Sequence, residues 1–264
     1  MTTILLARHG QASFGQENYD QLSELGKTQA QMLGQHYANT QRQIDVVLTG
    51  SLVRQQDSAR YFWERYQSSL NDEHVALDEN NSSNSNSVPL SPALNLNDPD
   101  SYVLPQFDEF NHQDVFAKSD PAFSSRAAVA AELAKSETPN LRLAELFDHA
   151  MARWHGGDND QDYIESWPQF NNRAQQALEQ VCTKVVNLNL DRDSTVLVFT
   201  SGGVIAAITA QLLKQGSQTA YQLNKTLVNT GVTSLTLKGD RVRLLSLNEY
   251  SHLFSEGKQF VTWR

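Results

Sequence analysis

Arg8-His9-Gly10 are the residues of this chain whose types and spacing most plainly suit chemistry. A neutral imidazole is a nucleophile near pH 7. A guanidinium is a fixed cation whose fork matches a phosphate or carboxylate. Side by side they describe an anion site that contains a nucleophile. The plainer alternative is a strand end whose arginine and histidine face solvent. Arg54 falls just after Gly50-Ser51, in the first turn of an expected helix. The helix dipole disfavours a cation there, so this arginine stands out. Ser201-Gly202-Gly203 links an apolar run to another expected helix. Glycines at such a junction let backbone amides approach an anion, or serve only as a tight turn. Glu109 stands among aromatics in Pro105-Gln106-Phe107-Asp108-Glu109-Phe110. Burial beside rings would raise its pKa and let it donate a proton; otherwise it is a solvated acid.

Three short apolar runs position these groups. Thr3-Ile4-Leu5-Leu6-Ala7 leads into Arg8, Ile44-Asp45-Val46-Val47-Leu48-Thr49 into Gly50, and Thr195-Val196-Leu197-Val198-Phe199-Thr200 into Ser201. Such runs read as buried, parallel strands. Open α/β sheets place ligands at the C-terminal edges of strands like these. Glu109 is read as the end of a fourth strand. Ser23 is an expected N-cap, with Glu24 in the first helical turn. Ser166 and Pro168 open a long helix reaching about Asn189. Val232 to Lys238 and Arg241 to Leu247, joined by Gly239-Asp240, read as a hairpin. Between Phe116 and Gly156 two helices are expected, broken at Ser136 to Pro139. They form a helical insert of about 114–160 that would act as a lid. A low-complexity polar loop, about 79–88, is expected to be mobile. The fold class is therefore α/β: one domain over 1–264, three-layered, with a mostly parallel central sheet flanked by helices and an inserted helical lid.

The bulk numbers limit the function classes. The 264 residues carry a formal net charge of −9 and no basic stripe. Nucleic acid and anionic membrane are therefore poor partners, while a small cationic pocket is still allowed. Cys182 is the single cysteine, so no intrachain disulfide forms. No apolar segment reaches membrane-span length, and a cytoplasmic location is expected. P-loop, dinucleotide and zinc-site spacings are absent, and no metal or cofactor is expected. Ser201 as a hydrolase nucleophile would want glycine two residues earlier, where Phe199 stands.

With these residues in place, the chain resembles the histidine phosphatase superfamily, the phosphoglycerate mutase-like family. Arg8-His9-Gly10 followed by Leu22-Ser23-Glu24-Leu25-Gly26 carries most of the likeness. Ser51 to Ala59, Glu165-Ser166 through Phe170 to Arg173, and Val198 to Ile205 add to it. So do Asn229-Thr230 and Asn248 through His252-Leu253. The low-complexity loop and the helical insert are left out of the likeness. The resemblance implies that His9 attacks phosphorus, that Arg8 and Arg54 clamp the phosphoryl oxygens, and that Glu109 protonates the leaving oxygen. It also carries the expectation that the arginine charges raise the His9 pKa less than a carboxylate would, leaving the ring nucleophilic. In one respect the chain departs from the pattern. Ser201 stands where the family usually has a second histidine. Serine can donate a hydrogen bond but brings no charge, a loss on the order of 10²–10³ in rate by analogy with a missing oxyanion donor. Ser201 and Gly202 are then phosphate-binding groups, with the amides of Gly202 and Gly203 compensating in part. The implied ligand is a small phosphorylated substrate or phosphate ion, and the oligomeric state is open. Three functions remain: a phosphomonoesterase working through phospho-His9 without a metal, a mutase-type phosphotransferase, and a weakly catalytic phospholigand-binding protein.

Overall fold

The computed structural model describes residues 1–13, 20–78, 102–120, 123, 125–188, 190 and 193–263. The expected polar loop lies outside them. Five strands form one sheet in the order β2-β3-β1-β4-β5: β1 (Thr2–Arg8), β2 (Val46–Thr49), β3 (Thr195–Thr200), β4 (Val232–Lys238) and β5 (Arg241–Glu249). β1 pairs in parallel with β3, Leu5 opposite Leu197, and β2 pairs in parallel with β3, Leu48 opposite Val198. β4 runs antiparallel to β1 and to β5, closing the expected hairpin. Ile4, Leu5, Leu6 and Ala7 are fully buried. A strand covered on both faces needs such an unbroken apolar run. β5 alternates instead between exposed and half-buried residues, as an edge strand does.

Helices flank this sheet. α1 (Glu24–Asn39) and α2 (Val53–Asp78) pack on one another, and α2 also reaches β2 and β3. Ser23 caps α1 by accepting from the Gly26 N–H at 3.0 Å. α3 (His112–Ser119), α4 (Arg126–Leu133) and α5 (Pro139–His155) follow a 3-10 turn at Pro105–Phe107. α6 (Trp167–Asn187) begins with a capping box between Ser166 and Gln169. α7 (Gly202–Leu212) packs against β1, and α8 (Ser217–Thr226) against α7. The short α9 (Ser251–Phe254) lies on α1. Among the described residues no helix is long and apolar enough to cross a membrane.

Some expectations are corrected. Glu109 does not end a strand. Val103 makes one isolated bridge to Thr49, and Pro105 then turns the chain into the 3-10 helix. A proline offers no N–H to a sheet ladder, so pairing stops there. A third helix, α3, precedes the two expected between 116 and 156. Gly202 and Gly203 fall inside the first turn of α7 rather than before it.

Candidate active site

Three parallel strands end side by side, and the candidate residues sit at their ends. The His9 N–H donates to the Thr200 carbonyl at 2.8 Å, and the Gly50 N–H to the Phe199 carbonyl at 3.2 Å. The β1 end is also braced from the β4 side. The Thr230 N–H reaches the Arg8 carbonyl at 3.0 Å, and Asn229 Nδ2 donates to the His9 carbonyl at 3.1 Å. Thr230 takes a φ of +57°, costly for a β-branched residue. Its Oγ1 lies 3.0 Å from His252 Nε2. Gly10 is required where it stands, because a Cβ would come within 2.3 Å of the Gly26 carbonyl oxygen.

His9 is 6% exposed, and both ring nitrogens are engaged. Nδ1 lies 2.7 Å from the Gly10 carbonyl oxygen, which can only accept. Arg54 Nε, which can only donate, lies 3.1 Å from His9 Nε2. The neighbours thus assign the tautomer: Nδ1 carries the proton and Nε2 presents its lone pair. Burial pushes the His9 pKa well below its ordinary value, and the charges of Arg54 and then Arg8 push it further down. The expected direction of the arginine effect is therefore reversed. Burial, and two cations that disfavour a third, keep the ring neutral.

Arg54, in the first turn of α2, is 6% exposed. Its Nη1 pairs with Asp20 Oδ1 at 2.6 Å, and Asp20 Oδ2 accepts the Val53 N–H at 2.9 Å. Asp20 thus covers both the arginine and the helix N-terminus. Arg8 Nη1 donates to the carbonyls of Leu227 and Trp263, at 2.5 and 3.0 Å.

Ser201 and Glu109 are placed differently from one another. The buried Ser201 Oγ accepts from Gln55 Nε2 at 2.8 Å, and that amide also donates to the Phe107 carbonyl at 3.0 Å. Gln55 thereby ties α2, the Glu109 loop and the β3 end together. The Gly203 N–H donates to Glu109 Oε2 at 3.1 Å. The start of α7 therefore faces the Glu109 carboxylate, and a Cβ on Gly203 would stand 2.2 Å from Glu109 Oε1. Gly202 leaves the space occupied by Asn224 Oδ1 and, farther off, the Arg8 guanidinium. The loop itself is clamped. Asp108 accepts from the Ser51 N–H and Oγ at 2.6 and 2.5 Å. Arg173 grips Glu165 with Nε and Nη2, at 2.6 and 2.8 Å, and the carbonyls of Gln106 and Asp108 with Nη1.

Sequence reasoning does not single out Asp20, Gln55 or His112, all part of this neighbourhood. His112, the first residue of α3, packs its ring against Phe110, tilted at 51° with centroids 4.1 Å apart. Desolvation lowers its pKa, the Glu109 carboxylate opposes that, and Arg54 and Arg8 add to it. His9 in turn feels the His112 charge. The signal was its spacing, three residues beyond Glu109 across a short loop. Among the described residues, no cluster of three or more histidine, cysteine or acidic side chains suited to a metal is present.

The fold agrees with the comparisons. A family profile described as "Histidine phosphatase superfamily (branch 1)" matches residues 4–86 and 100–250, and the chain belongs to that superfamily. The match runs through α3 to α5, although these helices were left out of the likeness read from sequence. No curated protein matches the chain by sequence. Among solved structures, YhfR of Bacillus stearothermophilus is similar at a TM-score of 0.59 and 16% identity, over 96% of this chain and 99% of that one. Phosphoglycerate mutase of Bacillus anthracis is similar at 0.56 and 16%, over 95% and 94%. Phosphoserine phosphatase of Entamoeba histolytica, in complex with phosphoserine, is similar at 0.54 and 16%, over 96% and 100%. These likenesses show the fold.

Proposed function

We propose that this chain is a phosphomonoesterase acting through a phosphohistidine on His9. The observation that carries the reading is the pair of contacts on that ring. The Gly10 carbonyl accepts the Nδ1–H, and the Arg54 Nε–H donates to the lone pair at Nε2. A phosphoryl group arriving between Arg54 and His9 would exchange one contact for two: the guanidinium turns to the phosphoryl oxygens, and Nε2 is freed to attack. The bond from phosphorus to the leaving oxygen breaks as the one from Nε2 to phosphorus forms. Glu109 gives that oxygen its proton and then, as carboxylate, takes one from the water that attacks the phosphohistidine. Inorganic phosphate leaves, and both residues are restored. Arg8 and Arg54 supply the positive charge, so no metal is called on. Asp20 holds the place of the anion on Arg54 until substrate displaces it. The substrate in this reading is a small phosphorylated molecule met in the cytoplasm, with the helices between 112 and 155 covering it. The phosphoserine held by the Entamoeba relative is of that kind.

The test is a panel of phosphomonoesters with wild type and His9→Ala, together with a chemical trap for the intermediate. We expect inorganic phosphate release by wild type, its loss in His9→Ala, and a transient phosphoprotein labile to acid and stable to alkali. Equal turnover by the two proteins would overturn the reading. A phosphohistidine that outlives exposure to water but passes to an added acceptor would make the chain a mutase instead.

A further inference from the structure

We propose that His112 is the second imidazole of this active site: a catalytic residue that donates a hydrogen bond from its ring to an oxygen of the transferring phosphoryl group, bringing from α3 the imidazole that Ser201, at the end of β3, does not supply. The inference rests on the phosphatase reading of His9.

Three observations support it. The first is what Ser201 does instead. Its hydroxyl is fully buried, held by the same Gln55 amide that grips the Phe107 carbonyl, and carries no charge. It is part of the scaffold behind the loop. The second is where His112 stands. It follows Glu109 by three residues, at the helix start capped by Asn111, and its ring lies against Phe110 and within reach of Phe147, at centroid distances of 4.1 and 6.1 Å. Both rings are tilted against the imidazole rather than stacked on it. The third is the set of charges around it. The groups whose charges act on His112 are Glu109, Arg54 and Arg8, and His112 acts on His9. Each of the four belongs to the proposed reaction. Among the described residues neither ring nitrogen of His112 has a hydrogen-bond partner, so its donor is uncommitted.

The charge balance fits this role. Without substrate, two arginines and a positive helix terminus oppose a proton on His112, and Glu109 favours one. A phosphoryl dianion beside the arginines reverses that balance and raises the proton affinity of the ring. The imidazole then offers its N–H, neutral or cationic, to the oxygens on which charge collects as the leaving group departs.

The experiment has two parts. Steady-state turnover of p-nitrophenyl phosphate is measured for wild type, His112→Asn, His112→Gln and the double variant Ser201→His/His112→Asn. We expect either single change to lower kcat by about 10²–10³-fold with little change in KM. The double variant should recover at least about tenfold, since a histidine from β3 restores the donor by another route, whereas a merely structural loss on α3 would not be rescued from there. A kcat for His112→Asn within about threefold of wild type would overturn the proposal. Separately, ring nitrogen resonances of 15N-histidine-labelled wild type are followed as orthovanadate is added. Joint movement of the His9 and His112 signals supports the proposal. Movement of His9 alone overturns it and leaves the phosphatase reading standing. Movement of neither, in a protein without turnover, overturns the phosphatase reading and the inference with it.

Discussion

Arg54 donates its Nε–H to the Nε2 of His9, at 3.1 Å, while its Nη1 lies 2.6 Å from an Asp20 carboxylate oxygen. One guanidinium therefore links the nucleophilic nitrogen to an acid that occupies an anion's place. Replacing Arg54 with lysine keeps the charge and loses the fork. Arg54→Lys is expected to lower kcat/KM by about 10²–10³-fold, as for the loss of one preorganised donor. Steady-state assays with a phosphomonoester check this. A loss of less than about threefold would mean that the fork plays no part.

In the proposed reaction Asp20 competes with substrate for Arg54. Removing its charge in Asp20→Asn frees the guanidinium and the start of α2. The ion pair is part-exposed, so its competing strength is about 1 kcal/mol or less. Inhibition by inorganic phosphate should tighten by up to about fivefold. Phosphate inhibition constants measured on both proteins decide the matter. A weaker constant in Asp20→Asn would show that the acid orients Arg54 rather than competes for it.

Gly203 stands too close to Glu109 to accept a side chain. Gly203→Ala places a Cβ 2.2 Å from Glu109 Oε1 and 3.0 Å from the Phe110 ring. The carboxyl must move, and kcat should fall by at least about tenfold, the lower range for losing a general acid. Gly216, at the start of α8, has no atom within 4 Å of a built Cβ. Gly216→Ala is the matching control and should keep its turnover. Equal activity in the two variants would remove Glu109 from the reaction.

Buried histidines make the fold sensitive to acid. His252 is pushed down to about 3 by burial and then by the charge of His36. Burial alone holds His155 at about 4. In the unfolded chain both titrate near 6.5. Between about pH 6.5 and 4 the unfolded state therefore binds more protons, and stability falls as pH falls. Above 6.5 the contribution is complete. At pH 5 the His252 share is a loss of about 2 kcal/mol. Urea midpoints at pH 7.5 and 5 should differ accordingly, and His252→Gln should flatten the dependence. Coincident midpoints in wild type would refute this account.

Much of this was legible in local sequence, for a physical reason. A strand buried on both faces must be apolar without interruption, so Ile4 to Ala7 and Val196 to Phe199 announce themselves. Arg8, His9 and Arg54 stand directly beside such strands and inherit their positions. Glu109 does not end the strand expected of it, because Pro105 ends the pairing of Val103 with Thr49 after one bridge. α8 went unread because its sequence, Ser217 to Thr226, shows no clear apolar stripe. Asp20, Gln55 and His112 were missed together. Each takes its meaning from partners on other elements: Asp20 from Arg54, Gln55 from Ser201 and Phe107, and His112 from Arg8, Arg54 and His9. No periodicity along the chain encodes such meetings.

The place of β1 in the sheet has a consequence for how the protein is made. The strand that carries Arg8 and His9 is made well before both its neighbours, β3 and β4, which begin only at Thr195 and Val232. Its edges wait through most of synthesis for pairings that close very large loops, the slow kind of contact. Of the carbonyls that hold Arg8, Leu227 comes just before β4 and Trp263 well after it. His9 is thus made long before the frame that holds it, and a nascent chain halted before β4 carries the proposed nucleophile without that frame.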